Sequence, residues 1–384
     1  MQQKQTPPDG ANVSYYDFGV FIGRFQIFHN AHRDCLIAAS QHVSKLLVFL
    51  GSANDAPRPD TKPFTAAERI QMISTSLPDD ILAKVHFIPV EDFRNDNAWV
   101  EEVTQLTHAA IKKLGGNSNS TIALCGHAKD HTSYYLTRFP EWHTVDIKSM
   151  GDLSATPLRR KYFSSNRAEA IQWLEEEAEH VVPAGTHRFL FDYFESDAYE
   201  DQIEEVKTAE AYKASWKNAP YPPILVTVDN LIHHTGSILL IRRRSRPGKG
   251  LWALPGGYLE QYDTLYESSI REAREETRLK VPDPVMRGSL VGNFVEDDPY
   301  RSMRGRVITH CFVFDIKPKI PARDPSASVE DHQRAVREAL RRPFIRGGDD
   351  AEKAKWVKIE DIKRDQMFED HYLLIRRGLG MIDQ

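Results

Sequence analysis

Three glutamates at helical spacing are the residues of this 384-residue chain that most directly indicate chemistry. Glu272, Glu275 and Glu276 fall within four positions of one another, so a helix would place them on one face. Crowded carboxylates repel one another unless a hard cation lies between them, and Mg²⁺ is usually bound by carboxylates together with substrate phosphates. The alternative is a solvated helix in which Arg271 and Glu275 form an ordinary ion pair.

The segments before and after these glutamates favour the metal-binding alternative. Residues 251–257 form an apolar run that ends in two glycines, which predicts a strand entering a tight loop. Asp263 is the expected N-cap of the acidic helix. This order resembles the signature of the Nudix hydrolases, and the residues that match at the family spacing are Gly257, Arg271, Glu272, Ala273, Glu275, Glu276 and Leu279. Two positions depart from the signature, because Asp263 replaces Glu and Arg278 replaces the closing Gly.

The Nudix resemblance implies a Mg²⁺-dependent hydrolase of nucleoside diphosphate compounds, with Mn²⁺ as a substitute. It implies that Glu272, Glu275 and Glu276 bind the metal and perform the catalysis, that Arg271 orients a glutamate, and that a later acid, for which Glu330 is a candidate, completes the site. Residues 298–306 resemble a segment of ADP-ribose-type Nudix proteins. The predicted substrate contacts are Gly257, Trp252, Tyr300, Arg301 and Arg304. Alternatively, these arginines lie on the surface of a hairpin and contact no substrate.

Two segments of the first half of the chain have features of phosphate sites. His29 and His32 lie where a strand passes into a helix, and a helix start offers free N–H groups to phosphate. In the second segment, Thr156 followed by Pro157 predicts an N-cap and the first helical residue, with Arg159 in the first turn. The alternatives are a pair of surface histidines and an ordinary capped helix.

Together these segments resemble the nucleotidylyltransferase superfamily, with Ala31 where its HxGH motif has Gly. Residues 23–26, 62–69 and 99–100 narrow the resemblance to the nicotinamide mononucleotide adenylyltransferases of the archaeal and bacterial type. This resemblance implies transfer of AMP from ATP to the mononucleotide without a protein nucleophile. The implied catalytic residues are His29, His32, Arg24 and Arg159, and the implied ATP- and mononucleotide-binding residues are Gly23, Phe25, Asn54, Arg69, Trp99, Ser154 and Thr156. Trp99 would stack on the nicotinamide ring or, alternatively, fill the core as an aromatic of an amphipathic helix.

The pattern of elements predicts two domains of different class. Strand-like runs at residues 15–22, 46–50, 85–90, 121–125 and 144–147 alternate with helical patterns at 32–45, 65–77 and 98–114. This alternation predicts an α/β domain with a doubly wound, Rossmann-like parallel sheet. After the proline-rich residues 218–223, strands prevail, which predicts an α+β domain. We expect a disordered lead at 1–14 and domains at 15–183 and 221–384, joined by a mostly helical linker at 184–220.

Composition restricts the classes of partner. The net charge of −5 gives no indication of a nucleic-acid binder, and no apolar run approaches the roughly 18 residues of a membrane span. Cys35, Cys125 and Cys311 are too scattered for a zinc site or a disulfide framework, so a reducing cytoplasm is expected. The expected partners are small molecules, and the sequence leaves a homo-oligomer open.

A chain with both signatures resembles the bifunctional nicotinamide mononucleotide adenylyltransferase/Nudix hydrolases. The resemblance implies synthesis of NAD in the first domain and cleavage of ADP-ribose to AMP and ribose 5-phosphate in the second. One alternative is a different nucleotidylyltransferase fused to a general nucleotide pyrophosphatase. Another is a Nudix domain that serves as a metabolite sensor.

Overall fold

The structure, a computed structural model, describes residues 15–93, 95–126, 138–147, 153–323, 328–348 and 351–382. Residues 1–14, predicted as a disordered lead, lie outside the described residues. The chain divides into two compact units between Ile203 and Glu204. This division falls inside the segment predicted as a linker, and the boundaries 15–183, 184–220 and 221–384 stay a prediction.

The first unit contains the parallel sheet that the strand–helix alternation predicts. Its strands run in the order β3-β2-β1-β4-β5. Their bounds are β1 (Tyr16–Gly23), β2 (Val43–Leu50), β3 (Val85–Pro89), β4 (Ile122–Gly126) and β5 (His143–Asp146). Residues 46–50 are buried without alternation, as expected of a parallel strand covered on both faces. The order reverses at β1, so the doubly wound architecture is confirmed and a binding crevice is expected beyond the carboxyl ends of β1 and β4.

Helices connect and follow the strands of this sheet, and the last of them crosses the division between the units. Their bounds are α1 (Asn30–Ser40), α2 (Ala66–Ser74), α3 (Asp79–Leu82), α4 (Asp96–Lys113), α5 (Ala155–Tyr162), α6 (Arg167–Glu176), α7 (Ala178–Val181), α8 (Ala184–Phe194) and α9 (Asp197–Ser215). The capping box of α2, formed by Thr65 and Glu68, is confirmed. The helix predicted at 32–45 is too long, because residues 43–45 already pair with β1 as the start of β2. Helices α8 and α9 occupy the segment predicted as helical.

The second unit contains a mixed sheet, which confirms the α+β prediction. The main order is β10-β11-β6-β7-β12, with β8 paired to β7 and β9 paired to β6. The strands are β6 (Ile224–His234), β7 (Ser237–Arg243), β8 (Trp252–Ala253), β9 (Gly256–Tyr258), β10 (Leu290–Glu296), β11 (Arg306–Asp315) and β12 (Ala351–Lys358). The two glycines predicted in a loop, Gly256 and Gly257, instead lie in β9, because they pair with Asp229 and Val228 of β6.

Two helical layers cover this second sheet. The remaining helices are α10 (Leu265–Thr277), α11 (Asp283–Ser289), α12 (Val329–Ala339) and α13 (His371–Ile382). Leu239 belongs to the core cluster on the α10 side, whereas its neighbours Ile238 and Leu240 belong to the cluster on the α13 side. Successive apolar side chains of β7 therefore point alternately to the two faces of the sheet and fill the core on each side. Among the helices that the structure describes, none has the length and apolarity needed to cross a membrane.

The acidic helix α10 begins one residue later than predicted. Its N-cap is Thr264, which forms a capping box with Glu267, so the assignment of the cap to Asp263 is wrong. Asp263 instead accepts hydrogen bonds from Ser268 Oγ at 3.0 Å and from Arg271 Nε at 3.1 Å. A carboxylate at this position therefore restrains the helix from the side, while the adjacent threonine satisfies the free N–H groups of its first turn.

The same helix ends on a strained residue. Arg278, which stands where the Nudix signature has Gly, is the C-cap and adopts φ 50° and ψ 31°. This left-handed conformation costs a residue with a Cβ atom roughly 1–2 kcal/mol relative to Gly.

We expect Arg278→Gly to raise the free energy of unfolding by about 1 kcal/mol, because it removes this strain at an exposed position. Urea unfolding of the full chain measures the change. Arg278→Ala is the matched control, since it removes the same side chain but keeps the Cβ atom. Equal stabilities of the two variants would contradict the strain at residue 278.

Candidate active sites

The first candidate site lies at the carboxyl end of β1, where the loop to α1 is held by a buried amide. Gln26 donates through Nε2 to the carbonyl oxygen of Phe64 at 2.9 Å, and its Oε1 accepts from the Phe64 N–H at 3.0 Å. Gly23 is required here, because a Cβ atom would lie 2.7 Å from the ring of Phe25. Phe25 is itself buried and has a left-handed φ of 52°. The loop is therefore fixed by packing and by paired backbone groups.

The two predicted catalytic histidines lie together at the start of α1. His29 is the N-cap residue, and its ring stacks on that of His32 with centroids 3.7 Å apart. The ring of His32 also meets Phe25 edge-on at 5.1 Å. His29 is only 3% exposed, so His32 is the histidine of the pair that faces the cleft described below.

Arg159 connects α5 to the β1 loop. Its Nη1 donates to the carbonyl oxygen of Gln26, and its Nε donates to the carbonyl oxygen of Asp60 at 3.0 Å. Its Nη2 donates to Thr156 Oγ1 at 3.0 Å. The N-cap of α5 is Ser154, so the prediction of Thr156 as the cap is wrong: α5 begins at residue 155, and Thr156 lies inside its first turn. Burial and the charge of Arg24 lower the pKa of Arg159 to about 10, so it stays protonated at neutral pH.

A cleft of about 210 Å³ opens between these two segments. Predicted site residues that line it are Arg24, Phe25, His32, Ser154, Thr156 and Arg159. Two guanidiniums, an imidazole and two hydroxyls therefore face one space at the switch point of the sheet. Such a set of donors suits a phosphate chain.

Three further predicted residues lie outside the walls of this cleft. Arg69 is fully buried and donates to the carbonyl oxygens of Arg24 at 2.8 Å and Gly51 at 2.7 Å. Asn54 donates to Glu91 at 3.2 Å. Trp99 packs against the core cluster of the sheet. Arg69 therefore holds together the loops that follow β1 and β2. The ring of Trp99 lies among apolar neighbours.

Sequence reasoning missed a polar network after β2 and β3. Asp92 accepts from Ser52 Oγ at 2.7 Å and lies 3.4 Å from Lys62 Nζ, which also pairs with Asp55. Lys62 is the first residue of the segment 62–69, which carries part of the family resemblance. Its position there was the one feature of the sequence that could have indicated this network. The network ties the loops of two neighbouring strands together at the edge of the sheet where the cleft opens.

The second candidate site contains the acidic helix, and Arg271 organises it. Its Nη1 donates to Glu272 Oε1 at 2.9 Å and to Glu275 Oε2 at 3.0 Å, and its Nε donates to Asp263. One guanidinium thus balances three carboxylates. Arg271 holds glutamates in place, as the resemblance implies, and the ordinary Arg271–Glu275 ion pair is present as well.

Glu276 is oriented separately from the other two glutamates. Its side chain is buried, and Oε2 accepts the backbone N–H of Gly256 at 2.9 Å. Burial raises the pKa of Glu276 to about 8, and the charge of Glu272 acts in the same direction. The surroundings of Gly257 explain why the signature has glycine at this position, since a Cβ atom there would lie 2.6 Å from the Glu272 carboxylate.

The predicted metal ligands are not gathered around one point. Within the described ranges, no three His, Cys, Asp or Glu side chains are arranged to hold a metal ion. The physical reason is that Glu272 and Glu275 share Arg271, whereas Glu276 turns towards Gly256. Glu330 lies on α12, whose residues are not buried.

The predicted substrate contacts of this unit differ in exposure and in the groups that their side chains contact. Tyr300 is 75% exposed. Arg301 is buried and forms a bidentate ion pair with Asp370, in which the two hydrogen bonds measure 3.1 and 2.8 Å. Its guanidinium therefore stabilises the interior of the unit. Arg304 donates to the Tyr258 hydroxyl at 3.1 Å. Trp252 packs into the cluster on the α13 side of the sheet, away from the α10 side, because residues 252 and 254 share one face of the chain.

Residues far from the acidic helix complete this site and were missed by the sequence reasoning. Asn230 donates to the carbonyl oxygens of Pro255 at 3.1 Å and Ser269 at 3.0 Å. His371 accepts the N–H of Leu254 at 3.0 Å through Nδ1. These contacts fix residues 254–256 from both sides. The polar residues Asp370 and His371 at the start of α13 were the available signal.

Comparisons with known proteins agree with this division into two sites. Residues 20–148 match the cytidylyltransferase-like family, and residues 223–378 match the NUDIX domain. The first half is 39% identical over 186 residues to a nicotinamide/nicotinic acid mononucleotide adenylyltransferase of Acinetobacter baylyi, which covers 48% of this chain and 90% of that protein. The second is 36% identical over 129 residues to an ADP-ribose pyrophosphatase of Methanocaldococcus jannaschii, which covers 30% of this chain and 73% of that protein.

Two solved structures are similar over both units, and one of them contains bound ligands. It is a bifunctional NMN adenylyltransferase/ADP ribose pyrophosphatase from Francisella tularensis, in complex with AMP and a manganese ion. The identity is 31% and the TM-score 0.78, and the match covers 95% of this chain and 99% of that chain.

We expect Gln26→Leu to lower the free energy of unfolding by about 2 kcal/mol, because it leaves the N–H and C=O of Phe64 buried without their partner. Urea unfolding of the full chain measures this loss. Gln71→Leu, on the exposed face of α2, is the control and should change stability by less than about 0.5 kcal/mol. A similar loss in both variants would show that the Gln26 contacts are unimportant.

Proposed function

We propose that this chain, which belongs to the family of bifunctional nicotinamide mononucleotide adenylyltransferase/ADP-ribose pyrophosphatases, catalyses both reactions. The first unit would transfer AMP from ATP to nicotinamide mononucleotide, giving NAD and pyrophosphate. The second would hydrolyse ADP-ribose to AMP and ribose 5-phosphate. The observation that carries the proposal is the pair of sites, a cationic cleft at the switch point of a parallel sheet and a carboxylate cluster beside Gly257.

The transferase reaction needs positioning and charge stabilisation. A phosphate oxygen of the mononucleotide attacks the α-phosphorus of ATP, the bond from that phosphorus to the oxygen of the leaving pyrophosphate breaks, and pyrophosphate departs. Arg24, His32 and Arg159 line the cleft and would stabilise the negative charge that develops. Arg159 is held by hydrogen bonds to the loop and to Thr156, so its cation is in place before the substrates bind.

The hydrolase reaction depends on the acidic helix. The donors are carboxylate oxygens, which suit a hard divalent cation, and the buried Glu276 is destabilised by the charge of Glu272 in a way that a cation would relieve. Glu272, Glu275 and Glu276 would hold Mg²⁺, with Mn²⁺ as a substitute, in competition with Arg271. When bound, the cation would supply an activated water and neutralise the diphosphate. Arg271 keeps the glutamates oriented on their helix face.

Small molecules are the only partners that we propose: ATP, the mononucleotide and ADP-ribose. A reducing cytoplasm is the proposed compartment. The thiol state of Cys35, Cys125 and Cys311 supports it.

For the transferase, we expect Arg24→Ala to lower the rate of NAD formation by about a hundredfold, because it removes one cation from the cleft. Arg24 is exposed, so the fold should be unaffected. The assay follows NAD by mass spectrometry with ATP, Mg²⁺ and nicotinamide mononucleotide, and the nicotinate compound is tested in parallel. The control is Arg33→Ala on α1, which pairs with Asp34 and should retain full activity. Equal rates of NAD formation in the two variants would contradict the assignment of this cleft as the transferase site.

For the hydrolase, we expect Gly257→Ala to lower ADP-ribose hydrolysis by about ten- to a hundredfold, because the new methyl group displaces the Glu272 carboxylate. NAD formation by the same protein should be unchanged. Gly288→Ala is the matched control, since a Cβ atom there meets no atom within 4 Å among the residues described. Loss of both activities in Gly257→Ala would contradict two independent sites. A wild-type chain that binds ADP-ribose without cleaving it would favour the sensor alternative.

A further inference from the structure

We propose that the C-terminal half of α9, residues 204–215, is a working part of the hydrolase site, because it positions two arginines that contact the substrate phosphates. The positioning residues are Glu205 and Tyr212, and the arginines are Arg243 and Arg304. All four belong to the second unit, although Glu205 and Tyr212 precede the segment that matches the NUDIX domain. Their role rests on the hydrolase activity proposed above.

Glu205 holds the loop that joins β7 to β8. Its Oε1 accepts from Arg246 Nη1 at 2.7 Å, and its Oε2 accepts the backbone N–H of Gly248 at 2.8 Å. Only 17% of the Glu205 side chain and 24% of the Arg246 side chain are exposed. Solvent and salt therefore screen this ion pair less than a surface pair, and the carboxylate binds the loop at two points.

This loop in turn positions Arg243. Gly248 has φ +75°, and a Cβ atom there would lie 2.1 Å from the ring of Phe368, so the loop rests directly on that ring. Arg243 donates through Nε to the carbonyl oxygen of Pro247 at 2.9 Å, and its guanidinium carbon lies 4.0 Å from the centroid of Phe368. The placement of Arg243 thus depends on the loop that Glu205 holds.

Tyr212 acts on the second arginine through Tyr258. The two tyrosine rings are nearly parallel, at 8°, with centroids 6.4 Å apart. The Tyr258 hydroxyl accepts from Arg304 Nη1 at 3.1 Å. Arg304 also lies 3.7 Å from the carboxylate of Glu369, which adopts a left-handed φ of 44°. The ring stack keeps the Tyr258 hydroxyl where it orients the guanidinium.

Both positioned guanidiniums flank the same ring, since Arg304 lies 5.9 Å from the centroid of Phe368. Burial, followed by the charge of Arg304, lowers the pKa of Arg243. Tyr258, whose hydroxyl bonds Arg304, also lies beside α10, because its backbone carbonyl oxygen accepts from Arg271 Nη2 at 3.5 Å. Two like charges held together beside the acidic helix form a receptor for an anion, and the phosphates of a nucleoside diphosphate supply it.

The test measures ADP-ribose hydrolysis by the full chain with Glu205→Ala, Tyr212→Leu and the control Glu204→Ala. Glu204 is exposed on the same helix turn and pairs with Lys207. We expect each of the two positioning variants to raise KM for ADP-ribose about tenfold, with kcat within about twofold of wild type, because the arginines lose their orientation. NAD formation and the control should not change. A KM of Glu205→Ala equal to that of Glu204→Ala would overturn the proposal.

A double-mutant cycle separates positioning from a general loss of structure. Arg243→Lys keeps the charge but loses the planar fork and the contact with Phe368, so it should also raise KM. If Glu205 acts through Arg243, adding Glu205→Ala to Arg243→Lys raises KM by less than about twofold. Additive effects of the two substitutions on KM would overturn the proposal. A parallel fall in kcat and melting temperature would overturn it as well. A wild-type chain without ADP-ribose hydrolysis would instead refute the proposed hydrolase, and with it this role of α9.

Discussion

Both sites hold like charges close together before any substrate is present, and the structure stabilises the buried ones with backbone groups. In the first unit, the buried guanidiniums of Arg69 and Arg159 donate to loop carbonyl oxygens. In the second, the buried carboxylate of Glu276 accepts the N–H of Gly256. Backbone partners are fixed by the fold, so each charged group is both satisfied and placed.

This arrangement explains why the loops at the strand ends are so constrained. Phe25, Ser52 and Asn54 all have a left-handed φ, and they lie in the loops that follow β1 and β2. A non-glycine residue in this conformation carries strain that the surrounding contacts must hold. The side chain of Gln26 and the network of Asp92 supply such contacts. Rigid loops at the switch point of the sheet keep the cleft open and its cations aligned.

The sequence predicted the classes of element well and the ends of elements less well. The strand–helix alternation and the Thr65 capping box depend on local pattern, and both are present in the structure. The N-caps predicted at Asp263 and Thr156 were wrong by one and two residues, because a second residue suited to capping, Thr264 or Ser154, stands close to each. The ion pair between Arg301 and Asp370 could not be predicted, because its partners lie 69 residues apart in sequence, a separation at which local pattern carries no information.

The same limit applies to what the site recognises. The signature around Glu272 and Gly257 is local and indicates the type of chemistry, whereas the groups around it come from distant parts of the chain. Asn230 lies on β6, His371 opens α13, and the contacts of α9 come from before the first strand of the sheet. These groups fix the loop, the arginines and the aromatic rings near the acidic helix. We therefore infer that the choice among diphosphate substrates depends on the geometry of these distant groups, because the signature itself supplies only the glycine and the carboxylates.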